Sequence, residues 1–248
     1  MTQAAIAFIG DPHGRWADIC QQIRRQLERG IAIQAIVPVG DMELEQPLDK
    51  ELAEFLDKGI AVHWIYGNHD SNETHWYDHL FESKLKHNNF HASVTDIGGT
   101  CLAGLGGVFR GKVWYPRPEK KAIKFHTRAD MLAGCSHQKR WRKGLPQTHR
   151  TSIFPEDFDR LEPLSADILV CHEGPSSIVD DRNGQMMGFD VIDELAAKMG
   201  AQLIVHGHHH RTYSARLDKG ILVRGLGKAE LCLWDPGSKD FVDTSTTL

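Results

Sequence analysis

The stretch AAIAFIGDPHG, residues 4–14, is where the reading of this chain turns. Ala4 to Ile9 reads as a β-strand, and the sequence Gly10-Asp11-Pro12-His13-Gly14 breaks it abruptly. A helical period follows. Between Arg15 and Arg29 the apolar side chains of Trp16, Ile19, Cys20, Ile23 and Leu27 fall on one face, with Gly30 behind them as a stop. The alternation then repeats: a strand at Ala35 to Val39, a helix from about Leu48 to Lys58 closed by Gly59, and a strand at Ile60 to Tyr66. Strands separated by amphipathic helices predict βαβ units and an α/β class.

Farther along, strands are predicted at Val94 to Ile97 and Thr100 to Leu105, then at Asp167 to Cys171 and Gln202 to Val205, with a helix from Asp190 to Met199 between the last two. A hairpin of Thr212 to Leu217 and Ile221 to Arg224 and a strand at Glu230 to Trp234 complete the pattern. The intervening segment, about 110–160, carries Pro116, Pro118 and Pro146 and reads as an insertion of loops and short helices. Its charge is lopsided: twelve cations from Arg110 to Arg150 face only Glu119 and Asp130, a net +10 in a chain whose formal charge is −4. At 248 residues one domain, 1–248, accommodates all of this. Five cysteines without a CxxC pair predict reduced thiols. No basic leader precedes the first strand and no apolar run reaches about 18 residues, so a cytoplasmic protein without a membrane span is expected.

Each of the clearest strands runs into a cluster of metal-ligating residue types. Asp11 and His13 lie in GDPHG, Asp41 in VGDME, and Asn68, His69 and Asp70 in YGNHD; His172 lies in VCHEG, and His208 and His210 in HGHHH. Beyond the carboxyl ends of strands, clusters remote in sequence converge on one site. Imidazole, carboxylate and an amide oxygen together suit Mn, Fe, Ni or Zn. Seven ligand side chains exceed the needs of one tetrahedral ion; two ions roughly 3.5 to 4 Å apart, sharing a carboxylate, use them all.

The ordered pattern DxH, GD, GNHD, H, GHxH resembles the calcineurin-like metallophosphoesterase superfamily and spans Asp11 to His210. The resemblance implies a four-layer α/β/β/α sandwich of two mixed sheets carrying a dinuclear site, with two divalent metal ions, manganese foremost. Carried over position by position, Asp11, His13 and His210 hold the first metal, Asn68, His172 and His208 the second, and Asp41 bridges them. His69 matches the catalytic histidine and Asp70 the carboxylate that orients it. The implied chemistry is hydrolysis of a phosphodiester or phosphomonoester by metal-bound hydroxide, with His69 protonating the leaving oxygen. Met42-Glu43-Leu44 stands where protein Ser/Thr phosphatases carry GDxVDRG, and GNHD where they carry GNHE, which disfavours that activity.

The remaining histidines, including His63, His75, His79, His87, His91, His126, His137 and His149, read as structural or surface residues. His206 and His209 flank the ligands on an extended stretch and are expected on its opposite face. Glu43 reads as the solvated start of an acidic stretch, with a role beside the ligands as the alternative, and Glu173 likewise. Gly104, Gly106 and Gly107 read as a turn between strands rather than a phosphate cradle, and Arg110 behind them is a candidate contact for a substrate phosphate. Trp114, Tyr115 and Trp141, interspersed among the cations of the insertion, could stack on bases. An anionic phosphorylated substrate follows, a small molecule or nucleotide first, a single-stranded nucleic acid second. A catalytically silent scaffold on the same fold is the reading from a different class, and the complete set of ligands with His69 argues against it.

Overall fold

A computed structural model of the chain describes residues 4–117, 123–180 and 182–242. Its strands are β1 (Ala5–Gly10), β2 (Ile33–Pro38), β3 (Ala61–Val62), β4 (Ser93–Ile97), β5 (Thr100–Leu105), β6 (Ile168–Cys171), β7 (Leu203–His206), β8 (Tyr213–Arg216), β9 (Leu222–Gly225), β10 (Glu230–Asp235) and β11 (Asp240–Phe241). The helices are α1 (Trp16–Glu28), α2 (Leu48–Glu51), α3 (Ala53–Leu56), α4 (Thr74–Phe81), α5 (Arg128–Ala133), α6 (Pro155–Leu161) and α7 (Asp190–Met199). One sheet is ordered β11-β10-β1-β2-β3 and the other β4-β5-β6-β7-β9-β8. Both are mixed: β1, β2 and β3 are parallel, as are β5, β6, β7 and β9, while β10, β4 and β8 join antiparallel.

Strand periodicity explains the layering. In β1, Ala5, Ala7 and Ile9 pack outward with Trp16, Ile19 and Ile23 of α1 and with Leu48, Leu52 and Phe55 of the 48–56 region. Ile6 and Phe8 point the other way, onto Ile168 and Val170 of β6 and Leu203 and Val205 of β7. Leu169 and Cys171 of β6 then face Ile192, Leu195 and Met199 of α7. Three apolar interfaces therefore separate four layers, α/β/β/α, as expected. Because both faces of each central strand are covered, β1, β6 and β7 read as continuous apolar runs rather than alternating ones. Burial of each large aliphatic side chain contributes about 1.5–3 kcal/mol.

The departures are local. The helix expected over 48–58 is two short helices parted at Leu52, where φ is −108° and ψ 17°, while Leu48, Leu52 and Phe55 stay fully buried. Of the strand expected over 60–66 only Ala61 and Val62 form a regular ladder with β2; beyond them single backbone bonds continue, His63 and Ile65 N–H donating to Ile36 and Pro38 and Trp64 bridging Asn89. The insertion holds α5, α6 and short 3₁₀ turns around a satellite core of Val113, Met131, Leu145 and Phe154. Some of its cations are held by the fold. Arg128 bonds Asp157 and Glu156, Arg142 pairs with Asp78, and Arg150 donates to Tyr77 and to the Trp141 carbonyl. Trp114 packs on Phe109 and Phe158, and Trp141 on Tyr77, so neither forms a stacking platform. Glu119, Lys120 and Lys121 lie outside the described residues. All five cysteines are free thiols. No described helix is long and apolar enough to cross a membrane.

Candidate active site

The two sheets meet at one edge of the sandwich, and the polar strand-end clusters meet there with them. The first sheet delivers Asp11 after β1, Asp41 after β2 and Asn68 beyond β3; the second delivers His172 after β6 and His208 and His210 after β7. A hydrogen bond joins the sheets directly, His172 Nδ1 donating to the Val39 carbonyl over 2.9 Å. Close approach demands glycine. A Cβ on Gly67 would collide with the Asp41 carboxylate and the His172 ring, and one on Gly207 with the Asp11 carboxylate. The backbone is also forced into the left-handed region at Asp11, His13, Asp41, Glu43, His208 and His210, with φ between 26° and 65°. Such conformations are sparsely populated for residues with a side chain and concentrate at functional sites.

The lone pairs converge around two points. His172 donates from Nδ1 to Val39, and its Nε2 points at Asn68 Oδ1 at 3.1 Å and Asp41 Oδ1 at 3.4 Å; burial opposes charge on this ring, but the Asp41 and Asp11 carboxylates outweigh it and push its pKa up to about 10, so a cation here would replace the Nε2 proton. His208 shares this group with Asp41 and His172. His13 likewise donates from Nδ1 to a carboxylate, Glu43 Oε1, at 2.7 Å. Its Nε2 faces His210 Nε2 at 2.9 Å and Asp41 Oδ2 at 3.8 Å, and Asp11 Oδ2 lies 3.7 Å from His210. Asp41 thus turns one oxygen to each group. Both oxygens of Asp11 are buried without a hydrogen-bond partner, and burial pushes that carboxyl up to about 7. A buried carboxylate without a hydrogen-bond partner, set among imidazoles and a second carboxylate, is an arrangement that cations stabilise. The donor set fits two divalent ions.

A family model described as calcineurin-like phosphoesterase matches residues 4–212. The chain belongs to the calcineurin-like phosphoesterase family. An uncharacterized protein of Haemophilus influenzae is 41% identical over 227 residues, covering 90% of each chain. Among solved structures, a dimetal phosphatase from Danio rerio superposes with a TM-score of 0.61 at 13% identity over 95% of this chain and 93% of that one. The phosphopantetheinyl hydrolase of Mycobacterium tuberculosis gives 0.51 at 14% identity over 100% and 98%. At these identities the likeness is one of fold.

Within this phosphoesterase fold, two expectations need correction. Asp70 does not orient the His69 imidazole. It is buried in a 3₁₀ turn and accepts from the backbone N–H groups of Asp41, Met42 and Gly67, clamping the two ligand loops together. Burial and the neighbouring Asp41 charge push Asp70 up to about 7. The residue that meets His69 is Glu43, whose Oε1 lies 2.8 Å from His69 Nδ1 and 2.7 Å from His13 Nδ1. Glu43 is no solvated charge: one carboxylate sets the tautomer of a ligand-type histidine and of the candidate acid together. The His69 N–H anchors on Asp41 Oδ1 at 2.8 Å, and its ring remains 39% exposed, open to an incoming group.

His209 is the second correction. The chain ceases to be extended after His206, because Gly207 leads into positive φ at His208 and His210, and alternation of faces fails there. His209 therefore lies on the site side, its Nε2 3.5 Å from the buried Glu173 Oε1 and otherwise unpartnered. His206 does turn inward, bonding the Tyr213 hydroxyl at 2.8 Å. Glu173, His208 and His209 border a pocket of about 410 Å³ walled by Phe109, Tyr115 and Phe189. Arg117 closes one side with its guanidinium 4.5 Å from the Phe189 ring. The Nε of Arg110 is buried and unpartnered, and burial lowers its pKa, an effect partly offset by the charges of Asp41 and Glu173. The one sequence signal for Glu43 and Glu173 was adjacency: each sits within two residues of a ligand-type side chain.

Proposed function

We propose that this protein is a dinuclear-metal phosphoesterase that hydrolyses a phosphate ester of a small organic molecule or nucleotide. The observation that carries the reading is the pair of converging lone-pair clusters sharing Asp41. Asp11, His13 and His210 would hold one ion, Asn68, His172 and His208 the other, with Asp41 between; Mn²⁺ suits this nitrogen and oxygen set. The chemistry such a pair supplies when bound is activation of water and neutralisation of phosphoryl oxygens.

The chain's own residues do the rest. Glu43 fixes the proton of His69 on Nδ1 in the neutral ring and stabilises the imidazolium form, so Nε2 is the atom that gives a proton to the departing oxygen. That role is typically worth about 10²- to 10⁴-fold. Asp70 holds the Asp41 loop against the Asn68 loop through three backbone amides. The aromatic pocket beside Glu173 is of a size for the organic part of the ester, and Arg110 offers an unpaired guanidinium to a phosphate oxygen. Packing of Trp114 and Trp141 into the body favours a small substrate over a nucleic-acid strand.

The test is hydrolysis of bis(p-nitrophenyl) phosphate and p-nitrophenyl phosphate with added Mn²⁺, a chelator blank and His69→Ala as control. Metal-dependent turnover that collapses in the variant, with metal content kept near two per chain, is expected. Undiminished turnover in His69→Ala, or no turnover of either ester with two ions bound, refutes the assignment.

A further inference from the structure

On the insertion side of Arg110 lies a second concavity, a basin of about 980 Å³. Its wall carries Arg110, Lys112, Lys124, Lys139 and His149, and among the described residues no acidic side chain lines it. That is unusual in this insertion, where Arg128 and Arg142 are held by carboxylates. Among the described residues no ion pair neutralises Lys112, Lys124 or Lys139. His149 is buried, with one ring nitrogen, Nδ1, 3.0 Å from Ser152 Oγ, and it senses the charges of Arg110 and Lys112. Arg110 joins the basin to the active site: it lines the basin, yet its charge interacts with Asp41 and Glu173 across the site, and its buried Nε has no partner. Like charges gathered without counter-charges repel one another and attract an anion.

We propose that this basin is a second anion subsite, holding a phosphate of the substrate other than the one being cleaved. The inference rests on the phosphoesterase reading and narrows it: the substrate is a small molecule with at least two phosphate groups, its organic part in the aromatic pocket beside Glu173. Arg110, on the basin wall and within the field of Asp41 and Glu173, would serve the phosphate on the basin side. A nucleic-acid strand is disfavoured because Trp114 and Trp141 are packed against other rings rather than offered to bases.

Calorimetric titration of the Mn²⁺-loaded His69→Ala protein, which spares the probes from turnover, compares adenosine 3′,5′-bisphosphate and ADP with AMP. At least one of the two is expected to bind tenfold or more tightly than AMP, equivalent to about 1.4 kcal/mol. Adding Lys112→Ala and Lys124→Ala should bring that ratio close to one. Because the ratio is an equilibrium quantity, it is read whether or not the protein cleaves any ester, so failure of the subsite and failure of the phosphoesterase reading are separable. Ratios near one for both probes, or a ratio that survives loss of both lysines, overturn the proposal. Hundredfold tighter binding of a dodecathymidylate strand, lost with the same lysines, overturns it in favour of nucleic acid.

Discussion

Replacing Glu43 separates two jobs that one carboxylate performs. Its Oε1 accepts from His13 at 2.7 Å and from His69 at 2.8 Å, and its side chain is only 19% exposed. A hydrogen bond to a charged group contributes about 1.5–3 kcal/mol net. If the His69 bond is what keeps the ring in its proton-giving form and aimed at the leaving oxygen, its loss in Glu43→Ala lowers kcat by about ten- to 150-fold at about 1.36 kcal/mol per decade. The His13 bond acts on metal affinity instead, where loss of such an outer partner costs about 10- to 100-fold. The assay is steady-state hydrolysis of bis(p-nitrophenyl) phosphate across a Mn²⁺ titration, with bound metal measured in parallel. The expected pattern is a right-shifted metal dependence and a kcat that stays depressed at saturating metal. Glu43→Gln, which keeps an acceptor but not the charge, should fall between. Full recovery of kcat at high metal would refute a link from Glu43 to His69, and a wild-type metal dependence would refute the link to His13.

Three further outcomes follow from the same geometry. In metal-free protein the folded-state pKa of Asp11 is raised from 3.8 to about 7, so its unfavourable burial is absent below 3.8, grows as pH rises and is complete above 7. Metal-free Asp11→Asn should therefore be more stable than wild type at pH 8 by about 2–4 kcal/mol and equal near pH 4, while binding less Mn²⁺; urea melts at both pH values check it, and equal stabilities at pH 8 count against a buried uncompensated charge. Gly67→Ala drives a Cβ into Asp41 and His172, so metal content by mass spectrometry should drop below two per chain. Arg128→Met strands the fully buried Asp157, which now bonds Arg128 and His91 and is held well below the usual carboxylate range despite its burial. A loss of about 3–5 kcal/mol of unfolding free energy is expected from a buried charge that loses its guanidinium, and a change under 1 kcal/mol would show that His91 and the Phe154 N–H suffice.

The candidate site was largely legible because its chemistry is local to strand ends. A strand fixes where its last residue projects, so Asp11 after β1, Asp41 after β2 and His172 after β6 converge once the strands are recognised, whatever the loops between them do. The continuous apolar runs of β1, β6 and β7 likewise announced sheets covered on both faces. Where the backbone stopped being periodic, the reading failed. Positive φ at His208 and His210 cancelled the alternation that had placed His209 on the far face, and a 3₁₀ turn sent Asp70 inward to three amides while Glu43 took its place against His69.

The sequence by itself determined the order of the elements and the residue types gathered at the edge of the sandwich, since periodicity and side-chain chemistry are properties of neighbours along the chain. Only the tertiary structure decided which of those residues are held by which. A count of +10 over the insertion could not distinguish Arg128, Arg142 and Arg150, bonded to groups 28 to 73 residues distant, from Lys112, Lys124 and Lys139, which pair with no carboxylate among the described residues. Charge adds along a sequence, but compensation happens across space, and which cations remain for a substrate is settled when remote carboxylates are brought within reach.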